Sequence, residues 1–238
     1  MNERLNDILE TAVREYIKTA RAVGSEFLAG NFFTDLSPAT LRNDLMELED
    51  LGFLTKAHSS GGRVPTDKGW RYYVDYFLGG EDLGLPTKVQ LASLQKHLRG
   101  FSDEPLMAGV AKLMAQMTHN VGIGAEPEEQ MFFTSGVRDF FREPEFAAPE
   151  DFQAAASLFD DIDDYFKTIL GGLSEEPRVF IGGENSYSNA RNYSVIASCV
   201  DCGNDESRLV AILGPKRMNY RRNISVVNAI SNLLKNYE

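Results

Sequence analysis

The sequence predicts an α+β chain. Three helices, a hairpin and a fourth helix come first, followed by a small antiparallel sheet with flanking helices. Three observations carry that expectation. Residues 37–52, SPATLRNDLMELEDLG, read as a capped helix with a single apolar stripe. Two short extended runs flank Gly61-Gly62, the pattern of a hairpin. Three runs suited to strands, Val179 to Ile181, Tyr193 to Cys199 and Leu209 to Leu213, are separated by glycine- and asparagine-rich turns.

Taken in order, Leu5, Ile8, Leu9, Ala12, Val13, Tyr16 and Ile17 recur at helical spacing and define a first amphipathic helix. Val23-Gly24-Ser25 interrupts it, and Ser25 is placed to cap a short second helix through Phe27 and Leu28. In the third helix Ser37 suits the N-cap. Pro38 suits the first helical position, where a missing N–H costs nothing. Leu41, Leu45, Leu48 and Leu51 form its apolar face, and Gly52 stops it. The opposite face carries Ala39, Arg42, Asn43 and Met46, with Thr40 and Glu47 at the margins. The hairpin runs through Lys56 to Pro65, and Thr66-Asp67 caps a fourth helix from Lys68 to about Leu78. This order is that of a winged helix-turn-helix.

Such a helix has a bland reading as ordinary core. Its outward face argues for more. Arg42 and Asn43 carry the forked donors and acceptors that read guanine and adenine edges in a major groove, so both are expected at bases. Ser37 and Thr40 at the helix tip, and Ser59, Ser60 and Arg63 in the wing, are expected at phosphate or in the minor groove. Lys56 adds to the local cation cluster, together with Lys18, Arg21, Lys68 and Arg71.

Residues 79–86, GGEDLGLP, form a linker by composition and divide a 1–78 DNA-binding domain from an 87–238 regulatory domain. Helices are expected from 87 to about 100, from about Leu106 to Asn120, across 150–171 and from about Tyr220 to Tyr237, with a short strand at Met131-Phe132-Phe133. The charge is unevenly spread. The whole chain of 238 residues carries −11. Residues 1–78 hold 9 Lys+Arg against 12 Asp+Glu, residues 79–176 hold 7 against 18, and residues 177–238 hold 8 against 5. A general electrostatic grip on nucleic acid is therefore not expected, and binding must rest on a few local contacts.

Other features are weaker. Cys199 and Cys202 have CxxC spacing, but His58, His97 and His119 make no partner group for zinc, and a strand end is the wrong place for a thioredoxin-like centre. A thiol switch is the functional alternative to two ordinary cysteines. Asp160, Asp161, Asp163 and Asp164 lack the spacing of a calcium loop and read as a solvated face. Gly182 to Ser186 fits either a phosphate contact or a tight turn. Lys216 to Arg222 reads as a structural run paired with acids of the middle segment, or else as a second DNA contact. No catalytic set stands out, so no enzyme, no cofactor and no metal are expected. No apolar run reaches membrane-spanning length, and the two cysteines fit a reducing cytoplasm.

The strings VGSEFLAG, SPATLRNDLMELEDLGFL, HSSGGRVPTDKGWRYYVDYFL, GEN and GPKRMNY resemble the heat-inducible transcription repressor HrcA family. The likeness runs from Leu5 to Leu78 and resumes at Glu143 to Phe146, Gly183 to Asn185 and Gly214 to Tyr220. It implies a repressor of chaperone genes that binds an inverted-repeat operator as a homodimer, depends on the GroE chaperonin and is released on heat shock. It also implies a GAF-like regulatory domain. Family members are longer, and between about Glu126 and Gln130 this sequence passes directly over the position of their inserted dimerisation segment. A reduced GAF-like domain is the expectation, with a half-sheet whose apolar surface a second subunit covers. Phe159, Phe166 and the helix from Ile224 to Leu234 are the expected contacts. A winged-helix regulator switched by a small ligand in the C-terminal domain is the rival reading.

Overall fold

The computed structural model describes residues 1–57, 61–79, 88–100, 104–203 and 206–235. The chain divides into two units, Met1–Asp82 and Leu83–Glu238. The linker expected over 79–86 lies outside the described residues from residue 80 onward.

The first unit contains α1 (Glu3–Thr19), α2 (Ser25–Asn31), α3 (Pro38–Asp50), β1 (Leu54–Lys56), β2 (Arg63–Pro65) and α4 (Asp67–Tyr72). Asn2 caps α1 by accepting from the Leu5 N–H, and Ala20 ends it in the left-handed region at φ 53°. Leu5, Ile8, Leu9, Ala12 and Val13 of α1 are buried, and Leu28, Leu41, Leu45 and Leu48 close the core against them. The expected fourth helix is α-helical only to Tyr72. Tyr73–Leu78 continues it with the wider π spacing. There Tyr76 stacks on Tyr72 at 5.0 Å between ring centres.

β1 and β2 pair antiparallel with Lys56 opposite Arg63. Val23 joins as a third, one-residue rung. It donates to the Arg63 carbonyl at 2.9 Å and accepts from the Arg63 N–H at 2.8 Å. Gly62 is required beside it, because a Cβ there would stand 2.6 Å from the Val23 carbonyl group.

The second unit contains α5 (Lys88–Arg99), α6 (Leu106–Thr118), β3 (Val121–Glu126), β4 (Met131–Ser135), α7 (Val137–Phe140), α8 (Pro149–Asp160), α9 (Ile162–Leu170), β5 (Arg178–Ile181), β6 (Tyr193–Gly203), β7 (Glu206–Pro215) and α10 (Tyr220–Leu234). The helix expected over 150–171 is two helices, broken at Asp161, where φ is −110°. The strands form one antiparallel sheet in the order β4-β3-β7-β6-β5.

This corrects the expected half-sheet. Five strands are present, and both faces are covered within the unit. Val121, Ile123, Ala125, Val195, Ala197, Leu209, Ala211 and Leu213 pack with Phe140, Phe146, Leu158, Tyr165 and Phe166 on one face. On the other face α6 and α10 lie on the sheet. Most of the expected dimer contacts are thereby covered within the unit itself, with Phe159 and Ile224 half-buried. Phe166 is 1% exposed, and Val227, Ile230, Leu233 and Leu234 are buried in their own unit.

Where the family's insertion was expected to be missing, β3 and β4 are joined by a tight turn. The Glu129 N–H donates to the Glu126 carbonyl at 3.2 Å, and the Gln130 N–H to Pro127 at 3.1 Å. Glu128 in this turn accepts from the Ser207 N–H at 3.1 Å and from its hydroxyl at 2.7 Å, tying the turn to the start of β7.

β3 was not foreseen, because Val-Gly-Ile-Gly-Ala-Glu is a poor strand by propensity. Its glycines are what packing demands. A Cβ at Gly122 would stand 2.2 Å from the Ala111 carbonyl oxygen, and one at Gly124 would stand 2.4 Å from that of Met107. Their absence lets α6 lie directly on the strand. Gly122→Ala is therefore expected to destabilise the protein by about 1–3 kcal/mol through overpacking, read as a lower urea midpoint by far-UV circular dichroism. An unchanged midpoint would contradict this close approach.

Candidate nucleic-acid interface

The site is the outward face of α3 with the β1–β2 ribbon beside it. The Ser37 hydroxyl accepts from the Thr40 N–H at 3.1 Å and lies 2.9 Å from the Thr40 hydroxyl, so both expected tip residues are engaged in capping. Ser37 is exposed and Thr40 half-buried. Pro38 holds the first helical position. Leu41, Leu45 and Leu48 are wholly buried and fix the rotation of the helix. Asp44, a polar residue the sequence did not single out, is also buried. It accepts from Arg4 of α1 at 2.8 Å, which latches α3 to α1.

With that phase fixed, Ala39, Arg42, Asn43 and Met46 all face solvent. The cations of this unit differ in availability. Lys18 is paired with Glu15 at 2.6 Å, Arg14 with Glu10 at 2.7 Å and Arg71 with Asp75 at 3.0 Å. Lys68 donates to the Leu51 carbonyl at 2.7 Å and sits 4.4 Å from the Phe53 ring centre. Arg42 and Arg21 carry no ion pair among the described residues. The C-terminal half of α3 carries Glu47, Glu49 and Asp50. Phosphates would be repelled there, so the face open to a groove runs from the helix tip as far as Met46.

Glu49 organises the ribbon. One of its oxygens receives the Arg63 guanidinium at 3.2 Å, and the other lies 3.7 Å from the Lys56 ammonium. Arg63, expected at phosphate, has a side chain only 12% exposed, whereas that of Lys56 is 52% exposed. Ser59 and Ser60, the other expected wing contacts, lie outside the described residues.

Features of the second unit resolve into structural roles. Asn185 of the Gly183-Glu184-Asn185 segment is fully buried. Its amide donates to the Gly182 carbonyl at 2.9 Å and to that of Ala190 at 3.2 Å, and its oxygen accepts from the Tyr165 hydroxyl at 2.7 Å. Burial pushes the Tyr165 pKa up, which keeps that hydroxyl a donor. The tight turn is thus the better account of this segment than a phosphate contact. Arg217 of the basic run is held by Glu143, and by Glu145 at 2.5 and 3.1 Å, as the structural reading of that run supposed. Cys199 and Cys202 are free and half-buried, and burial pushes both thiols up, away from the reactive thiolate. Among the described residues no group of three His, Cys, Asp or Glu side chains comes together to hold a metal. No helix among them is long and apolar enough to cross a membrane.

Comparison with known proteins bears on the same two units. A heat-inducible transcription repressor HrcA of Chloroflexus aggregans is 36% identical over 136 residues, which make up 57% of this chain and 36% of that protein. Over that stretch the chain spans only about a third of its relative's length. Another of the same name, from Halalkalibacterium halodurans, is 24% identical over 325 aligned residues covering 94% of each chain. That alignment is longer than the 238 residues of this chain, so the relative carries internal sequence that is missing here. A crystal structure of a hypothetical protein at 2.2 Å resolution shares the fold, with a TM-score of 0.78 at 19% identity over 100% of this chain and 98% of that one. The family model described as HrcA protein C terminal domain matches residues 87–224, more than half of the sequence, and the chain belongs to the HrcA family.

Proposed function

We propose that the protein is a sequence-specific transcriptional repressor of heat-shock genes, and that its first unit is a winged helix-turn-helix with α3 as the recognition helix. The observation that carries this reading is Arg42, without an ion pair among the described residues, beside Asn43 on the solvent face of a capped, firmly packed helix. Both side chains suit bidentate contacts to a purine edge, Arg42 to guanine and Asn43 to adenine. Ser37 and Thr40 at the tip approach a phosphate, together with Lys56, Ser59 and Ser60 of the wing. The name shared by the curated relatives, heat-inducible transcription repressor, supports the choice of gene class. A repressor of this kind is not an enzyme.

The proposal includes a homodimer on an inverted repeat, one α3 per half-site. A single recognition helix reads too few base pairs to compete against a genome. The second unit, a reduced GAF-like domain, supplies the pairing surface and the response to heat, with the GroE chaperonin as the partner that the family resemblance implies. Binding depends on few phosphate contacts, which fits an acidic chain.

Selection of bound duplexes from a random pool by the full chain is the direct test. An inverted repeat should be recovered. On that sequence Arg42→Ala and Asn43→Ala should each weaken binding by about 1–3 kcal/mol and relax preference at one or two positions per half-site. Wild-type affinity and preference in both variants would refute the role of α3.

Lys56 and Arg63 should separate. Lys56→Ala should lower the salt dependence of binding by about one counterion with little change in stability. Arg63→Ala keeps the backbone rung to Val23 but removes the guanidinium that Glu49 binds, and should destabilise the first unit by roughly 1–3 kcal/mol. The fluorescence of Trp70, the chain's single tryptophan, buried in that unit, reports the unfolding. A stable Arg63→Ala protein with a reduced salt slope would return Arg63 to the phosphate.

A further inference from the structure

Met46 is 48% exposed, on the same face of α3 as Arg42 and Asn43. Single exposed apolar side chains are common and mean little alone. Position sets this one apart. Counting 100° per residue, Met46 lies between Arg42 and Asn43 around the helix and one turn further along it. It is thus at the centre of the outward stripe, opposite Leu41 and Leu48. Met1 and Leu51 of this unit are also exposed, at the chain's first residue and at the C-cap of α3, off this stripe. Phe27 and Phe32 lie against each other at 5.8 Å, and Tyr76 stacks on Tyr72. Met46 is flanked instead by Arg42, Asn43 and Glu47.

We propose that Met46 is a specificity-determining residue that reads the C5-methyl group of a thymine in the major groove. This rests on α3 being the recognition helix. A thymine is the base that presents an apolar group in that groove. The methionine side chain is unbranched and polarizable, so it can settle on a methyl without demanding one geometry. Arg42 and Met46 are separated by about 6 Å along the helix axis, and successive base pairs by about 3.4 Å. The thymine therefore lies within about two base pairs of the purine read by Arg42. The contact buries one methyl group, worth about fourfold in affinity. The Glu47 carboxylate alongside bars a phosphate from this part of the face and leaves the base edge as what Met46 can meet.

The test uses the full chain and the duplex recovered by selection, with each thymine of a half-site replaced singly by deoxyuridine, which removes only the methyl. Wild type should lose about fourfold at one position per half-site, within two base pairs of the base whose preference Arg42→Ala relaxes. Met46→Ala should bind the unmodified duplex more weakly by a similar factor and be indifferent to deoxyuridine at that position. Met46→Leu should restore the discrimination. If Met46→Ala keeps the wild-type thymine-to-deoxyuridine ratio at every position, the assignment is wrong. Arg42→Ala, measured in parallel, separates the two levels. Loss of binding there without coupling at Met46 removes only the thymine contact. No loss in either variant removes α3 as the reading element and the thymine contact with it.

Discussion

Burial of Leu41, Leu45 and Leu48 is the constraint on which the rest of the first unit depends. Each such side chain withdrawn from water contributes on the order of 1.5–3 kcal/mol, and together they fix the rotation of α3. The polar residues between them then have no freedom. Arg42, Asn43 and Met46 must face outward, and Asp44 must face inward, where Arg4 meets it at 2.8 Å. Turning the helix by one residue would bury the Arg42 or Asn43 side chain and expose a leucine. The face proposed to meet DNA is thus a by-product of the packing. Glu49, on the flank of the same helix, extends the constraint to the ribbon by holding Arg63 and approaching Lys56.

The second unit solves a different problem. A five-stranded sheet with both faces covered needs a helix close to β3, and Gly122 and Gly124 provide the room. The turn at Glu126 to Gln130 connects two strands directly, and Glu128 fastens it to Ser207. Most of the protein's acid lies in residues 79–176. Part of it is structural, since Glu143 and Glu145 hold Arg217 before the last helix. Asp160, Asp163 and Asp164 of the same segment are exposed, and an acidic chain disfavours loose association with nucleic acid.

Much of this was legible in the sequence, and the misses have physical reasons. The leucine spacing and the Ser37-Pro38 cap located α3 to within two residues, and the Gly61-Gly62 pair located the ribbon. β3 escaped because its glycines serve a neighbouring helix, a tertiary reason that no local propensity records. The break at Asp161 escaped because Phe159, Ile162 and Phe166 keep one apolar face across it. Arg63 read as a surface cation because a one-dimensional pattern cannot show Glu49 arriving from fourteen residues away. Asp44 was not singled out, because its partner Arg4 lies forty residues away. The apolar face of α10 was visible, but its spacing alone could not show that β6 and β7 of its own sheet cover it.

The central claim is that α3 enters a major groove with Arg42 at a guanine edge. Methylation of guanine N7 by dimethyl sulfate probes that edge directly. On the selected duplex, the full chain should protect a guanine in each half-site, the two related by the operator's two-fold symmetry. That protection should disappear with Arg42→Ala at protein concentrations that still saturate the DNA. Full protection retained in the Arg42→Ala complex, or no guanine protected in a saturated wild-type complex, would contradict the account.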